Sequence, residues 1–261
     1  MKNTIILFTA MAILLLGMGP SFAGKGDFYQ LKVYHLSSAE QEQVVDEYLE
    51  QAYLPAMHRA GIEHVGVFKP VAPADGSAAE RLIYVLIPFD SQQKFAKIEA
   101  QLAKDQLYQS AGAKYLNAPY SNPPFTRIET ILLNAFEKHP HYAVPDLQGP
   151  KKDRIYELRS YEGHTEKISA NKIRMFNDGD EVGLFKRLGF NAVFYGEVIA
   201  GSTMPNLMYM TTFENKADRD AHWQSFGSDP YWKELSAMPE YQHNVSKNVT
   251  TFLYPTEYSD L

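Results

Sequence analysis

A chain of 261 residues with a net charge of −6, 45% hydrophobic and 13% aromatic residues can bury a substantial core, which excludes a disordered chain. With no cysteine it cannot carry a disulfide framework, a thiolate zinc site, an iron–sulfur cluster or a cysteine nucleophile. Its mild acidity speaks against a general nucleic-acid binder, which needs a basic footprint.

The first residues, Met1-Lys2-Asn3, lead into an apolar stretch from Ile5 to Met18 and then Pro20-Ser21-Phe22-Ala23. One positive charge, a short apolar run and small residues at Ser21 and Ala23 are the layout of a secretory signal peptide. An uncleaved anchor shares part of this pattern, but the run is short for a membrane span. Removal of residues 1–23 leaves 238 residues with a formal charge of −7. The expectation is a secreted or periplasmic soluble protein with no membrane span after signal cleavage.

Phe28 to Leu36 then alternates as a strand, with Tyr29, Leu31 and Val33 on one face and Lys32 and Tyr34 on the other. Ser38 offers an N-cap oxygen with Gln41 at the capping-box position. Val44, Val45, Tyr48, Leu49, Ala52 and Tyr53 then form one apolar helical stripe, which Gly61 ends. Ile62 to Phe68 and Leu82 to Phe89 are expected strands on either side of a Pro/Ala/Gly-rich turn from Pro70 to Ala79. Ser91 to Leu102 is an expected helix and Thr126 to Asn134 a fourth strand, with Tyr108 to Pro124 between them as a long loop at the edge of a cavity. An extended connection with Pro140, Pro145, Gly149 and Pro150 follows, and the order then repeats. Strands are expected at Ile155 to Tyr161, Ala192 to Ile199, Leu207 to Phe213 and Val249 to Tyr254. Helices are expected over Thr165 to about Lys186, Lys216 to Phe226 and Pro230 to Ala237, and the segment after Pro255 is expected to fray.

The repetition extends to the residues themselves. Tyr29-Gln30-Leu31-Lys32-Val33-Tyr34 returns as Tyr156-Glu157-Leu158-Arg159-Ser160-Tyr161 at an offset of 127. Arg59-Ala60-Gly61-Ile62 returns as Arg187-Leu188-Gly189-Phe190 at 128, and Leu82-Ile83-Tyr84-Val85 as Leu207-Met208-Tyr209-Met210 at 125. Asp105-Gln106-Leu107-Tyr108 is answered by Asp229-Pro230-Tyr231-Trp232 at 124. The fold class implied is α+β: tandem ferredoxin-like β-α-β-β-α-β repeats forming a pseudo-dimeric α+β barrel. The expected boundaries are 1–23 for the signal peptide, 27–136 for the first repeat, 137–153 for the linker and 154–256 for the second repeat. One repeat alone leaves a sheet face bare, so the two sheets must pack on each other or join edge to edge.

The strand Ile155 to Tyr161, the strand Leu207-Met208-Tyr209-Met210 and the block Phe226-Gly227-Ser228-Asp229-Pro230-Tyr231-Trp232 resemble the NIPSNAP family. The likeness covers about half of the chain well. The first repeat departs from it, with Gln30 where the second has Glu157 and Ala103-Lys104-Asp105-Gln106-Leu107-Tyr108 in place of the aromatic block. The resemblance implies a dimeric α+β barrel built from ferredoxin-like units. That superfamily includes small monooxygenases, dehalogenating and isomerising enzymes and haem-handling proteins, but no catalytic set carries over residue by residue.

Candidate site residues follow from chemistry. Glu157 and Arg159 share one strand face; turned into a chamber between the sheets they would offer a carboxylate and a guanidinium fork to an anionic ligand, and the favoured reading is a structural ion pair at the seam between repeats or subunits. His222, Trp223, Phe226, Asp229 and Trp232 form the densest cluster, with His222 and Phe226 four apart on one helix face. Asp229-Pro230 also reads simply as a helix start. The catalytic candidates are His222 as base, Arg159 as anion stabiliser and Tyr156 or Tyr209 as hydrogen donor; the ligand-binding candidates are Glu157, Trp223, Phe226 and Trp232. His139-Pro140-His141 sits in the linker, and no metal or cofactor is expected. The favoured function is binding of a small, partly apolar or aromatic molecule in the chamber between sheet and helices, by a homodimer or pseudo-dimeric monomer that binds no nucleic acid. The alternatives are a cofactor-independent barrel enzyme of monooxygenase or isomerase type and a structural interaction protein.

Overall fold

The computed structural model describes residues 26–72 and 80–261; the expected signal peptide and most of the Pro70 to Ala79 turn lie outside the described residues. The first half comprises β1 (Phe28–Leu36), α1 (Ala39–Tyr48), α2 (Leu54–Arg59), β2 (Gly66–Pro70), β3 (Arg81–Phe89), α3 (Gln92–Leu102), α4 (Gln106–Ala111), α5 (Ala113–Leu116) and β4 (Arg127–Ala135). The second comprises β5 (Ile155–Glu162), α6 (Glu166–Asn177), α7 (Glu181–Arg187), β6 (Asn191–Ala200), β7 (Asn206–Phe213), α8 (Lys216–Ser228), α9 (Pro230–Ala237) and β8 (Lys247–Pro255).

Each half pairs its strands antiparallel in the same way, with the first strand between the third and fourth and the second strand outside the third. The free edges then meet. β2 pairs with β8 and β4 with β6, so eight strands close into one barrel in the order β1-β3-β2-β8-β5-β7-β6-β4. Of the two ways of covering the bare sheet faces, the chain uses the edge-to-edge one, and closure leaves neither sheet with a free edge.

Strand alternation sorts the core into three parts. Tyr29, Leu31, Val33, Tyr156, Leu158 and Met210 face the lumen, where the two halves interlock: Phe68 lies against Tyr156 at 4.8 Å and Phe194 against Tyr29 at 5.2 Å between ring centroids. The opposite strand faces, with Phe28 and Tyr34 in one half and Ile155 and Tyr209 in the other, bury against the helices outside the barrel.

The repeated turns have a common physical cause. Gly61 and Gly189 follow α2 and α7 at φ of 79° and 78°, a left-handed conformation that ends a helix at little cost only for glycine. The arginine before each reaches the aspartate that caps the later helix. Arg59 pairs with Asp105 at 2.7 Å, and Arg187 grips both oxygens of Asp229 at 3.0 Å. Asp105 accepts the Tyr108 amide and Asp229 the Tyr231 amide. This matching chemistry accounts for the Asp229 block as a helix cap held to α7.

Two expectations are refined, the first helical stripe and the stretch from Thr165 to Lys186, and two are corrected, the loop from Tyr108 and the frayed end. The first helical stripe continues through a π-helical turn at Leu49–Tyr53 into α2. The segment from Tyr108 is partly helical, because Asp105 caps α4 and Tyr115 stacks on Tyr48 at 3.7 Å; its later part, Pro119 to Pro124, edges a cleft of 160 Å³. Asp180, at φ 51°, separates α6 from α7. The chain after Pro255 is docked: Thr256 N–H donates to Val67 O at 2.9 Å, Asp260 N–H to Val65 O at 3.2 Å, and Leu261 is buried.

Phe68 stands at the β2·β8 seam and touches the other half through Tyr156. Phe68→Ala is expected to cost about 3–5 kcal/mol, with both halves still unfolding in one transition; guanidinium denaturation followed by near- and far-UV circular dichroism measures both.

Candidate functional site

The alternation of β5 places Glu157, Arg159 and Tyr161 toward the helices and Tyr156 and Leu158 toward the lumen. The charged face therefore does not open into a chamber between the sheets, as the sequence reading had allowed. Its partners come from α8, which lies across it. Glu157 is fully buried and accepts from Arg159 Nε at 2.7 Å, Arg219 Nε at 2.7 Å, Arg219 Nη2 at 2.8 Å and Trp223 Nε1 at 2.8 Å. Burial alone would raise this carboxyl, but the hydrogen bond from Arg219 and the charge of Arg159 hold it below the ordinary glutamate value.

Arg159 is pinned as firmly. Its guanidinium lies 3.8 Å from the centre of the Trp223 ring, and its Nη1 donates to the Tyr161 hydroxyl at 3.0 Å. Tyr161 and Tyr209 share a hydroxyl bond of 2.8 Å, and burial pushes the Tyr209 phenol well up. Arg159, Tyr209, Glu157 and Trp223 thus form one continuous network. Phe226 and Trp232 pack beside it at 4.4 Å between centroids, and Phe226 stacks on Phe185 at 4.9 Å. The same layer holds a buried ion pair, Lys172 to Glu181 at 2.8 Å, with the Lys172 ammonium 4.7 Å from the Phe176 ring.

Two candidates fall elsewhere. Tyr156 is on the lumen side, its hydroxyl buried. His222 directs Nδ1 at the Asp218 carbonyl, 2.8 Å, and its ring packs on Phe190 and Phe213 and covers Gly189.

Open space lies along β6. The connection between the halves runs beside the N-terminal part of this strand, with Phe136 N–H donating to Tyr195 O at 3.0 Å and Ala143 N–H to Val193 O at 2.9 Å. Between this connection, β6 and α7 is a cleft of about 480 Å³. Its wall includes Val182, Phe190, Tyr195, Ala143, Val144 and Pro145, and its polar groups are His139, Asn191, Asp146, Asp180, Lys138 and Lys186. His139 meets Tyr195 edge-on at 5.2 Å; its Nε2 is buried without a partner among the described residues, and burial holds the imidazole below the ordinary histidine value. By contrast, the cleft in the barrel lumen is only about 270 Å³. None of the catalytic or ligand-binding candidates lines either space; His139 of the linker lines the first.

The sequence reading missed Arg219 and the 480 Å³ cleft. Arg219 and Trp223 are four apart on one helix, a spacing visible in the sequence, but their common acceptor lies 62 and 66 residues away. The cleft depends on where the linker crosses β6, for which proline and glycine spacing gives no signal. Among the described residues no three histidine, aspartate or glutamate side chains come together to hold a metal ion, and no helix is long and apolar enough to cross a membrane.

Residues 156–260 match the family model described as NIPSNAP. No curated protein matches the chain. Among solved structures, the chain is similar to a protein of Lactobacillus acidophilus provisionally assigned as a monooxygenase, with 11% identity and a TM-score of 0.55, covering 88% of this chain and 94% of that one. It is similar also to a Fusobacterium nucleatum protein with the same provisional assignment, at 8% identity and 0.54, covering 89% and 93%. An anthrone oxidase-like protein follows at 11% identity and 0.51, covering 89% and 92%. At these identities the likeness to the solved structures is one of fold alone, a closed eight-stranded α+β barrel, and the NIPSNAP match is confined to residues 156–260 of the second half.

Two outcomes are expected here. Glu157→Gln leaves two guanidinium groups facing a neutral amide and should destabilise the fold by about 3–5 kcal/mol, measured by urea unfolding at pH 7. His139, with its folded pKa below the unfolded value of 6.5, binds protons more readily when unfolded, so stability falls as pH drops below about 6.5. His139→Phe should show a flatter loss than the parent protein between pH 7.5 and 5.5, whereas identical slopes would dissociate His139 from the effect.

Proposed function

We propose that this NIPSNAP-related barrel binds a small, partly apolar or aromatic molecule in the cleft between β6, α7 and the connection that joins the halves. The observation that carries the reading is the contrast between the two sides of the sheet. The lumen keeps only about 270 Å³, short of the ordinary range for a small-molecule site, while the helix-bearing side keeps about 480 Å³ against β6, within that range.

The chemistry of the wall supports the same ligand class. Phe190 and Tyr195 offer ring surface, Val182 and Pro145 aliphatic surface, and Asn191 one neutral polar group. His139 adds an imidazole whose neutral form burial favours. The exposed charges are mixed in sign, with Lys138 and Lys186 balanced by Asp146 and Asp180. An apolar ligand with a few polar atoms suits this surface better than a multiply charged one.

Val144 lies on the exposed side of the cleft and is half-exposed, so a larger side chain there can fill the space without disturbing the core. The uncharged fluorescent probe N-phenyl-1-naphthylamine should bind the parent protein saturably at one site. Val144→Trp should weaken that binding by roughly tenfold or more, the equivalent of about 1.4 kcal/mol, with unfolding unchanged. Equal binding by both proteins, or none by the parent, would rule this cleft out as the site.

A further inference from the structure

The barrel lumen ends in a well of about 270 Å³ that shares no lining residue with the cleft at β6. Strand alternation builds it, since every second residue at one end of β1, β3, β4, β5, β7 and β8 faces inward. Its depth is apolar: Leu31, Leu158 and Met208 are buried there. From Leu31 to His35 the wall runs four residues, about 13 Å of strand. The space is short for a drug-sized ligand but takes an aliphatic chain of a few carbons.

The rim carries two carboxylates. Glu80 precedes β3 and Glu129 lies in β4, so they flank β1 from either side. Glu80 meets His35 Nδ1 at 2.7 Å, and Glu129 accepts from the Ser202 hydroxyl. Among the described residues neither has a lysine or arginine partner: Arg81 turns to Glu42, and Arg127 to the Thr126 carbonyl. Burial first, and then the charges of Glu80 and Glu129, push the Tyr84 phenol up, so both carboxylates act on one wall of the well. The opposite wall lacks a donor. Asn206, 3% exposed, uses its Nδ2 on Ser160 Oγ at 2.9 Å, and its Oδ1 is buried without a partner among the described residues. A polar rim short of cations and donors, set over an apolar shaft, is complementary to an ammonium with an alkyl tail. A chain ending in a carboxylate would meet like charges at the same rim.

We propose that this well is a second ligand site, for a short aliphatic ammonium held between Glu80 and Glu129 with its alkyl chain against Leu31, Leu158 and Met208. The buried chain supplies the affinity and the carboxylates select the charge, because ion pairs at an exposed rim contribute little by themselves. The site is separate from the cleft at β6 and does not depend on it.

Amide chemical-shift titration of the full chain with n-hexylammonium, with 1-hexanol and hexanoate as comparators, tests the proposal. Hexylammonium should bind saturably, with shifts at Val33, Leu158 and Met208. It should bind roughly tenfold more tightly than either comparator, as charge-assisted contacts allow. From butyl- to hexylammonium the affinity should rise about three- to fourfold per methylene, the gain expected for burying each one. Glu80→Gln combined with Glu129→Gln should bring hexylammonium to the level of hexanol, with unfolding unchanged. Val249 lines the mouth and is 37% exposed, so Val249→Trp should obstruct every chain length without disturbing the core. Val144→Trp should leave hexylammonium binding intact. Absence of saturable shifts, equal binding of hexylammonium and hexanol by the parent, affinity unchanged by the paired glutamine substitutions, or loss in Val144→Trp alone would overturn this site. Loss of the naphthylamine site with hexylammonium binding retained would instead count only against the cleft.

Discussion

Edge closure is the constraint on which the molecule depends. A four-stranded sheet with helices on one side has two unpaired edges and one bare apolar face, and neither is tolerable in water. Joining β2 to β8 and β4 to β6 satisfies both demands in a single chain. The β2·β8 seam is short, three residue pairs, and the docked segment after Pro255 reinforces it with hydrogen bonds to Val65 and Val67. Closure also determines what the lumen can be. Phe68, Tyr156, Phe194 and Tyr29 come from both halves and pack across it as a shared core.

Much of the chemistry is therefore displaced to the helix-bearing sides, where the halves have taken different courses. The second half spends its charged row on architecture: Glu157 gathers Arg159, Arg219 and Trp223 and fastens α8 to β5. The first half retains the cation as Lys32 without that carboxylate, among tyrosines. The connection between the halves, lying beside β6, encloses a space that neither repeat would form alone. Two similar units in one chain thus form a symmetric scaffold with asymmetric surroundings.

Strand alternation and the repeated Arg-x-Gly and Asp blocks made the tandem fold readable, because each is a local pattern with a local cause. Register was harder. The sequence match pairs Tyr84 with Tyr209, but Tyr209 stands opposite Arg159 while Val85, one residue on, stands opposite Lys32. A slip of one residue changes the face, so Tyr84 lines the lumen and Tyr209 the helix layer. The candidate site was less legible for the same kind of reason. The grouping of Arg159, Glu157 and Trp223 could be suspected from residue type, but Arg219 joins them only through tertiary placement, and the cleft is made by Val144, Val182 and Phe190 from segments with no sequence signature of proximity.

The central claim is that the helix-bearing side at β6, and not the barrel lumen, receives an apolar small molecule. Amide chemical-shift mapping with a neutral aromatic probe tests it most directly. The account predicts that saturable shifts concentrate at Ala143, Val182, Phe190 and Asn191; shifts concentrated at Leu31, Leu158 and Met208 in the lumen would contradict it.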